Sequence, residues 1–218
     1  MSTVFVKTFA PPPFCEKEAL RYARAGKDES VRDLLAGCWE GIEGKLEYKV
    51  CYTELPVCIK NDAVDFGCFD VRSKDLAKNL STCDRVILFA ATVGLELDRQ
   101  IAKYGRIAPS RALMLQAIGA ERIEALCDAF CDWQQEQGNM LVPRFSAGYG
   151  DLSLETQRDI FRVLDCPNQI GLYLNDSLLM TPSKSVTAFA GITEAPRKVQ
   201  PHKCSLCENT DCVFRSNK

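Results

Sequence analysis

Two clusters of residues in this chain have types and spacings suited to chemistry. The first is Arg144-Phe145-Ser146-Ala147-Gly148-Tyr149-Gly150-Asp151. Arg144 offers a planar fork of donors that holds a carboxylate by two parallel bonds. Gly148 and Gly150 lack side chains, so the backbone there can approach a ligand closely or take positive φ. Tyr149 adds an aromatic face and one hydroxyl, suited to a flat heterocycle. The same residues also suit a turn that carries a salt-bridged arginine. The second cluster is His202, Cys204, Cys207 and Cys212, with the chain's single histidine beside the cysteines. Cys204 and Cys207 have the knuckle spacing that puts two thiolates on one metal. Three thiolates and an imidazole close a tetrahedral zinc site. With a fourth ligand from elsewhere, the three thiolates would instead carry an iron–sulfur cluster. Three free thiols are the plain alternative.

Other chemistries find no support. No Gly-rich phosphate loop follows a strand, which speaks against nucleotide kinases and Rossmann-type methyltransferases. A Ser–His or Cys–His hydrolase would have to recruit His202 from the extreme tail. Cys127 and Cys131 share one helical turn and read as core thiols rather than a redox pair. No residue is assigned a catalytic role.

Composition narrows the classes further. Lys plus Arg is 27 and Asp plus Glu is 29, so the net charge is −2. Without a dense Lys/Arg run, nucleic-acid binding is not expected. The longest apolar stretch, residues 86–93, is too short to cross a bilayer and reads as a strand. Residues 1–13 lack the charged start and long apolar run of a secretory signal, so a cytoplasmic protein is expected. Twelve cysteines is a high count for 218 residues. Nine are scattered between Cys15 and Cys166, mostly inside apolar runs, and read as reduced core thiols rather than a disulfide framework.

These clusters need elements to position them. Residues 109–137 predict a long helix. Ala112, Leu115, Gly119, Ile123, Leu126, Phe130 and Trp133 recur at spacings of 3, 4, 4, 3, 4 and 3, one stripe facing a core. Shorter helices are expected over 16–25, 29–42 and 95–104. Another should run over 154–164, capped by Ser153 with Glu155 in its first turn. Residues 46–53 alternate as a half-buried strand, 57–59 form another, and the continuous apolar run 85–91 suits a central strand. Segments 171–174 and 185–192 read as strands around an Asn175-Asp176 turn. Strands and helices mix without strict βαβ alternation, so the expected class is α+β.

The motif Arg144-x-x-x-Gly148-Tyr149 resembles the ligand-binding motif of the activation domain of vitamin B12-dependent methionine synthase. A second block, Ser177-Leu178-Leu179-Met180-Thr181-Pro182-Ser183-Lys184-Ser185-Val186, is similar to that family's Ser-x-x-Met-x-Pro-x-x-Ser-Val segment, at the right distance. Glu124-Ala125-Leu126-Cys127-Asp128 is similar to its helical Glu-Ala-x-x-acidic segment. The resemblance covers residues 118–192, about a third of the chain, and short free-standing proteins with Arg-Phe-Ser-x-Gly-Tyr-Gly-Asp look like the nearer kin.

The resemblance implies a mixed, largely antiparallel twisted sheet with flanking helices that presents S-adenosylmethionine to an inactivated cobalamin. One electron reduces the cobalt(II) cofactor, and the ligand's methyl group traps the reduced form. Arg144 would take the methionine carboxylate and Glu124 the amino end. Ala147, Gly148, Tyr149 and Gly150 would contact the rest of the ligand. The cobalamin would be carried by a methionine synthase or related corrinoid protein acting in trans, with a flavodoxin- or ferredoxin-type electron donor. Residues 1–195 would form this domain and 196–218 a Cys-rich tail after a Pro-flanked linker. Two departures stand out. The N-terminal half has no match to the family's early acidic ligand residue, and Lys198 and the tail replace its late ligand tyrosine. Two other functions are compatible with the sequence: a metal-cluster redox activator of a corrinoid protein, and a non-catalytic, zinc-stapled interaction module.

Overall fold

The run Cys83–Thr92 is apolar at nearly every position from Val86 onward, and the fold explains why. In the computed structural model, which describes residues 3–25 and 28–194, this segment is a central strand with both faces covered. In chain order the elements begin with β1 (Phe5–Thr8), α1 (Glu16–Ala23), α2 (Glu29–Ile42) and β2 (Lys49–Pro56). Next come β3 (Cys58–Lys60), β4 (Ala63–Asp65), β5 (Asp70–Arg72), α3 (Lys74–Asn79) and the central strand β6. After these run α4 (Glu96–Ile107), α5 (Pro109–Glu136), α6 (Thr156–Leu164) and α7 (Cys166–Ile170). The described part closes with β7 (Tyr173–Leu174), β8 (Met180–Thr181) and β9 (Ser185–Thr193).

The main sheet has the order β1-β2-β6-β9, antiparallel throughout. Because successive residues of a strand point to opposite faces, β6 feeds two cores. Ile87, Phe89 and Ala91 face a layer built on α5, joined by α1, α2 and Leu97 of α4. Val86, Leu88 and Ala90 face a second layer of α3, α6, α7 and the three-stranded sheet β3-β4-β5. The architecture is the mixed α+β arrangement expected from the sequence.

The predicted elements meet the observed ones with instructive shifts. Helix α2 matches its expected span, and six of the seven stripe residues of α5 are buried, Trp133 being half-buried. The strand expected at 46–53 lies at Lys49–Pro56. There Val50 and Cys51 are both buried, because β2 sits between two layers rather than against one. Helix α6 starts at Thr156, after a turn in which the Ser153 hydroxyl accepts from the Glu155 N–H at 3.2 Å. The segment at 171–174 does not pair with 185–192. β7 closes a small hairpin with β8, and β9 pairs with β6 instead. The nine described cysteines are free thiols; Cys38, Cys51, Cys83, Cys127 and Cys166 are buried as expected of core thiols and Cys131 is half-buried, but Cys15, Cys58 and Cys68 are exposed and not core.

One constellation welds the N-terminal segment to α5. Arg122 is fully buried, and its guanidinium donates to the carbonyls of Pro12 (2.6 Å) and Pro13 (2.8 Å) and to Glu121. It lies over the rings of Phe14 and Trp39, which stack on one another, and Glu121 also accepts the Cys15 N–H at 3.1 Å. Burial by itself would lower the Arg122 pKa, but hydrogen bonds to Glu121 and Tyr48 hold it above its ordinary value. Among the described residues, no helix is long and apolar enough to cross a membrane.

Candidate functional site

After α5 the chain turns at Gly138 and runs back along the free edge of β9. Thr193 donates to the Met140 carbonyl at 2.9 Å, and Val142 to that of Gly191 at 2.9 Å. Phe145 and Phe189 exchange bonds of 2.9 and 2.8 Å. Alternation along this edge segment sends Phe145 toward the α6 layer and its neighbour Arg144 toward α5.

There Arg144 meets two carboxylates one helical turn apart. Its Nη2 donates to Glu124 at 3.0 Å, and its Nη1 to Asp128 at 2.8 Å and to the Cys131 sulfur at 3.7 Å. Glu124 has no partner at i±4 on its own helix; its partner arrives from twenty residues downstream. Burial alone would disfavour the cation, yet the hydrogen-bonded Asp128 carboxylate and the Cys131 sulfur outweigh it and raise the Arg144 pKa. Burial pushes the Cys127 thiol well up, so it stays protonated beneath the arginine, in keeping with a core role. A guanidinium carries five N–H groups. Three are taken here, so five minus three leaves two for a ligand, among the described residues.

The loop that follows is held by its own backbone. Gly148 donates to the Leu152 carbonyl (2.9 Å), Tyr149 to that of Ser146 (3.1 Å) and Leu152 to that of Tyr149 (3.0 Å). Gly148 and Gly150 both take positive φ, +86° and +52°. A Cβ on Gly150 would collide with the Asp75 carboxylate. The close approach seen at Gly150 is thus to the Asp75 side chain of α3. Asp151 explains it: its carboxylate accepts the Ser73 hydroxyl, the Lys74 N–H (2.8 Å) and the Asp75 N–H (3.2 Å). Those bonds cap α3 and depress the Asp151 pKa, the Ser73 hydroxyl contributing most.

The second sequence block forms the other side. The Asn175 side chain accepts the Leu179 N–H at 2.9 Å and closes the β7–β8 hairpin, and the Thr181–Pro182 peptide is cis. Ser183 donates its N–H (2.9 Å) and its hydroxyl to Asp98 of α4. The Ser185 hydroxyl bonds the Pro182 carbonyl (2.8 Å) and the Thr92 hydroxyl (2.9 Å). The Lys184 stem lies against Gly119, where a Cβ would come within 2.8 Å of it. Burial lowers the Lys184 pKa, and Asp98 opposes that shift.

Between the loop, α5, α6 and the start of β9 lies a cavity of about 370 Å³, within the range of small-molecule sites. Glu124, Arg144, Ala147 and Tyr149, four of the six expected ligand residues, line it; Gly148 and Gly150 are not in the lining and set the loop's turns. Tyr149 is 62% exposed and stands edge-on to Phe145. Ser146, which lies in the first cluster without an assigned role, also lines the cavity, as do Gln157 and Thr187, which were not singled out from the sequence. Met180, Ser185 and Val186 line it too, and they belong to the second block, whose spacing signalled them. His202, Cys204, Cys207 and Cys212 lie outside the described residues. Among the described residues, no group of three or more His, Cys, Asp or Glu is placed to hold a metal.

No family model and no curated protein matches the chain. Among solved structures, the MetH reactivation domain bound to AdoHcy matches 90% of this chain and 80% of its own, with a TM-score of 0.64 at 12% identity. The chain has the fold of that reactivation domain. The expected fold is therefore observed, over more of the chain than the motifs alone cover. At this level of identity the likeness concerns the backbone frame. The reactivation-domain fold sets the Arg144 loop at the sheet edge, between two helical layers.

Proposed function

We propose that the chain binds S-adenosylmethionine in the cavity beside Arg144 and supports reductive methylation of cobalamin held in trans by a methionine synthase or related corrinoid protein. The observation that carries this reading is the convergence of Arg144, Glu124 and Tyr149 on one cavity, in a fold whose solved counterpart holds AdoHcy. The two free N–H groups of Arg144 suit the ligand's carboxylate, and Glu124 suits its ammonium. The backbone of Ala147, with Tyr149, suits the remainder. Gly148 and Gly150 contribute by setting the loop's path.

Charge supports the same ligand. Arg144 contributes +1 and the Glu124 and Asp128 carboxylates that pair with it −2, so this cluster at the cavity sums to −1. S-adenosylmethionine carries an ammonium, a sulfonium and a carboxylate, which sum to +1. A cationic ligand against an anionic cluster is a favourable pair, strengthened by the half-buried setting. When bound, S-adenosylmethionine supplies a sulfonium methyl group to the partner's corrinoid. The protein's share is orientation and electrostatics.

The test is reconstitution. The protein is mixed with a cobalt(II) form of its methionine synthase, a low-potential flavodoxin- or ferredoxin-type reductant and S-adenosylmethionine. The methylcobalamin spectrum should return, and omission of this chain should slow it. Equally fast recovery without the chain would refute the activator role for that partner.

The proposal extends to the tail, which we assign, as a unit spanning 196–218, to metal binding by His202, Cys204, Cys207 and Cys212. Anaerobic protein should carry about one zinc per chain, or be brown with an iron–sulfur cluster, and Cys207→Ser should lose either. Metal-free anaerobic protein would leave three free thiols. Brown protein that does not bind S-adenosylmethionine would shift the function to the redox activator.

A further inference from the structure

Gln157 lines the cavity but is not among the residues assigned above to the ligand's charged groups. It sits in the first turn of α6 and is only 6% exposed, and its side-chain oxygen is buried without a hydrogen-bond partner among the described residues. Buried polar groups in folded proteins are almost always paired, and an orphan beside a cavity marks a place where a ligand supplies the missing partner. The residue also lines the cavity itself.

The two walls of that cavity differ. The side next to α5 carries the charged Arg144 and Glu124, with Asp128 paired to Arg144 just outside the lining. Helix α6 packs in the opposite core layer through Ile160, Phe161 and Leu164, so Gln157 reaches the cavity from the other side of the sheet. Thr187 enters from the same side, since Phe189, two residues on, belongs to that layer. This wall is polar but uncharged. S-adenosylmethionine has the same division: a charged amino-acid end and an uncharged adenosine end.

We propose that Gln157 is a specificity-determining residue whose amide oxygen accepts a hydrogen bond from the adenosine end of the ligand. The inference rests on the reading of this cavity as an S-adenosylmethionine site. The available donors are the exocyclic amine of adenine and the ribose hydroxyls. A buried neutral acceptor is well suited to them, because an unmatched analogue leaves it orphaned and is rejected strongly.

The experiment measures binding by calorimetry for S-adenosylhomocysteine, its inosine analogue and its 2′-deoxy and 3′-deoxy analogues. Each is titrated into the wild-type protein and into Gln157→Met, which keeps the side-chain length and removes the amide. Wild type should lose tenfold or more on whichever analogue lacks the donor that Gln157 meets. Loss with the inosine analogue identifies the amine, and loss with a deoxy analogue identifies a hydroxyl. Gln157→Met should bind the parent about tenfold more weakly and tolerate that analogue almost as well as the parent. If every analogue binds wild type within twofold of the parent, the proposal is overturned, and this arm stays readable even if Gln157→Met fails to fold. It is likewise overturned if Gln157→Met discriminates as wild type does. Wild type that binds no S-adenosyl compound at all overturns the reading of the cavity as well, which separates the two failures.

Discussion

Helix α5 bears two arginine–carboxylate constellations, and their contrast separates structure from site. Arg122 is fully buried, with its donors spent on two carbonyls and Glu121 and its faces covered by Phe14 and Trp39. With Tyr48 as a further hydrogen-bond partner, no donor is left over for a ligand among the described residues. Arg144 is 23% exposed, has its fork split between Glu124 and Asp128, and keeps two N–H groups free at the edge of a cavity. A closed constellation holds the fold together. An open one can exchange partners with a ligand.

The contrast is broken first at the closed end. Glu121→Ala leaves the Arg122 guanidinium buried without its carboxylate and should cost about 3–5 kcal/mol of folding stability in chemical denaturation. The folded fraction should still bind ligand as wild type does. A loss below about 1 kcal/mol would show that the buried pair does not anchor the N-terminal segment.

Gly150→Ala tests the loop. A side chain at φ +52°, in collision with Asp75, forces the turn off α3, at a cost of about 1–3 kcal/mol. Ligand affinity should fall with it, as Ala147 and Tyr149 shift. Unchanged stability and affinity would show that the glycine is dispensable.

Glu124→Gln sharpens the contrast at the open end. It takes the Arg144–Glu124–Asp128 cluster from −1 to 0, so the preference for S-adenosylmethionine over the uncharged-sulfur AdoHcy should shrink several-fold. Rising salt should shrink it in wild type, as it does for partly exposed charges. A preference indifferent to both would remove the electrostatic argument.

The smallest effect is at Asp151. Its folded pKa lies below the free-aspartate value of about 3.9. The cap's contribution is therefore complete above that range and lost as pH falls through the lower folded value. Asp151→Asn should melt slightly earlier than wild type at neutral pH, and the difference should vanish under strongly acid conditions.

Periodicity made α5, α2 and β6 legible, because each repeats one pattern over many residues. The short strands β1, β4 and β5 and the six-residue α3 were not legible, since three or four residues hold no period and their pairing is non-local. At the site, residue type marked Arg144 and Tyr149, and the family resemblance added Ala147 and Glu124. The pairing of Arg144 with Asp128 closes across sixteen residues, and the orphaned Gln157 oxygen exists only once α6 is packed. Gly150 was marked for the right reason, its backbone, but the group it approaches is Asp75. Arg122 illustrates the converse. Nothing in the sequence marked it, and only the covering Phe14, Trp39 and Pro12-Pro13 carbonyls make it core.

The central claim is that the open constellation at Arg144 holds the carboxylate of S-adenosylmethionine. Calorimetry with that ligand on wild type, Arg144→Ala and Arg144→Lys tests it most directly. Wild type should bind one ligand per chain, and Arg144→Ala should lose about 2–5 kcal/mol of binding with the fold retained. Arg144→Lys should also bind more weakly, because an ammonium cannot reproduce the fork. Equal affinity in wild type and Arg144→Ala would contradict the account.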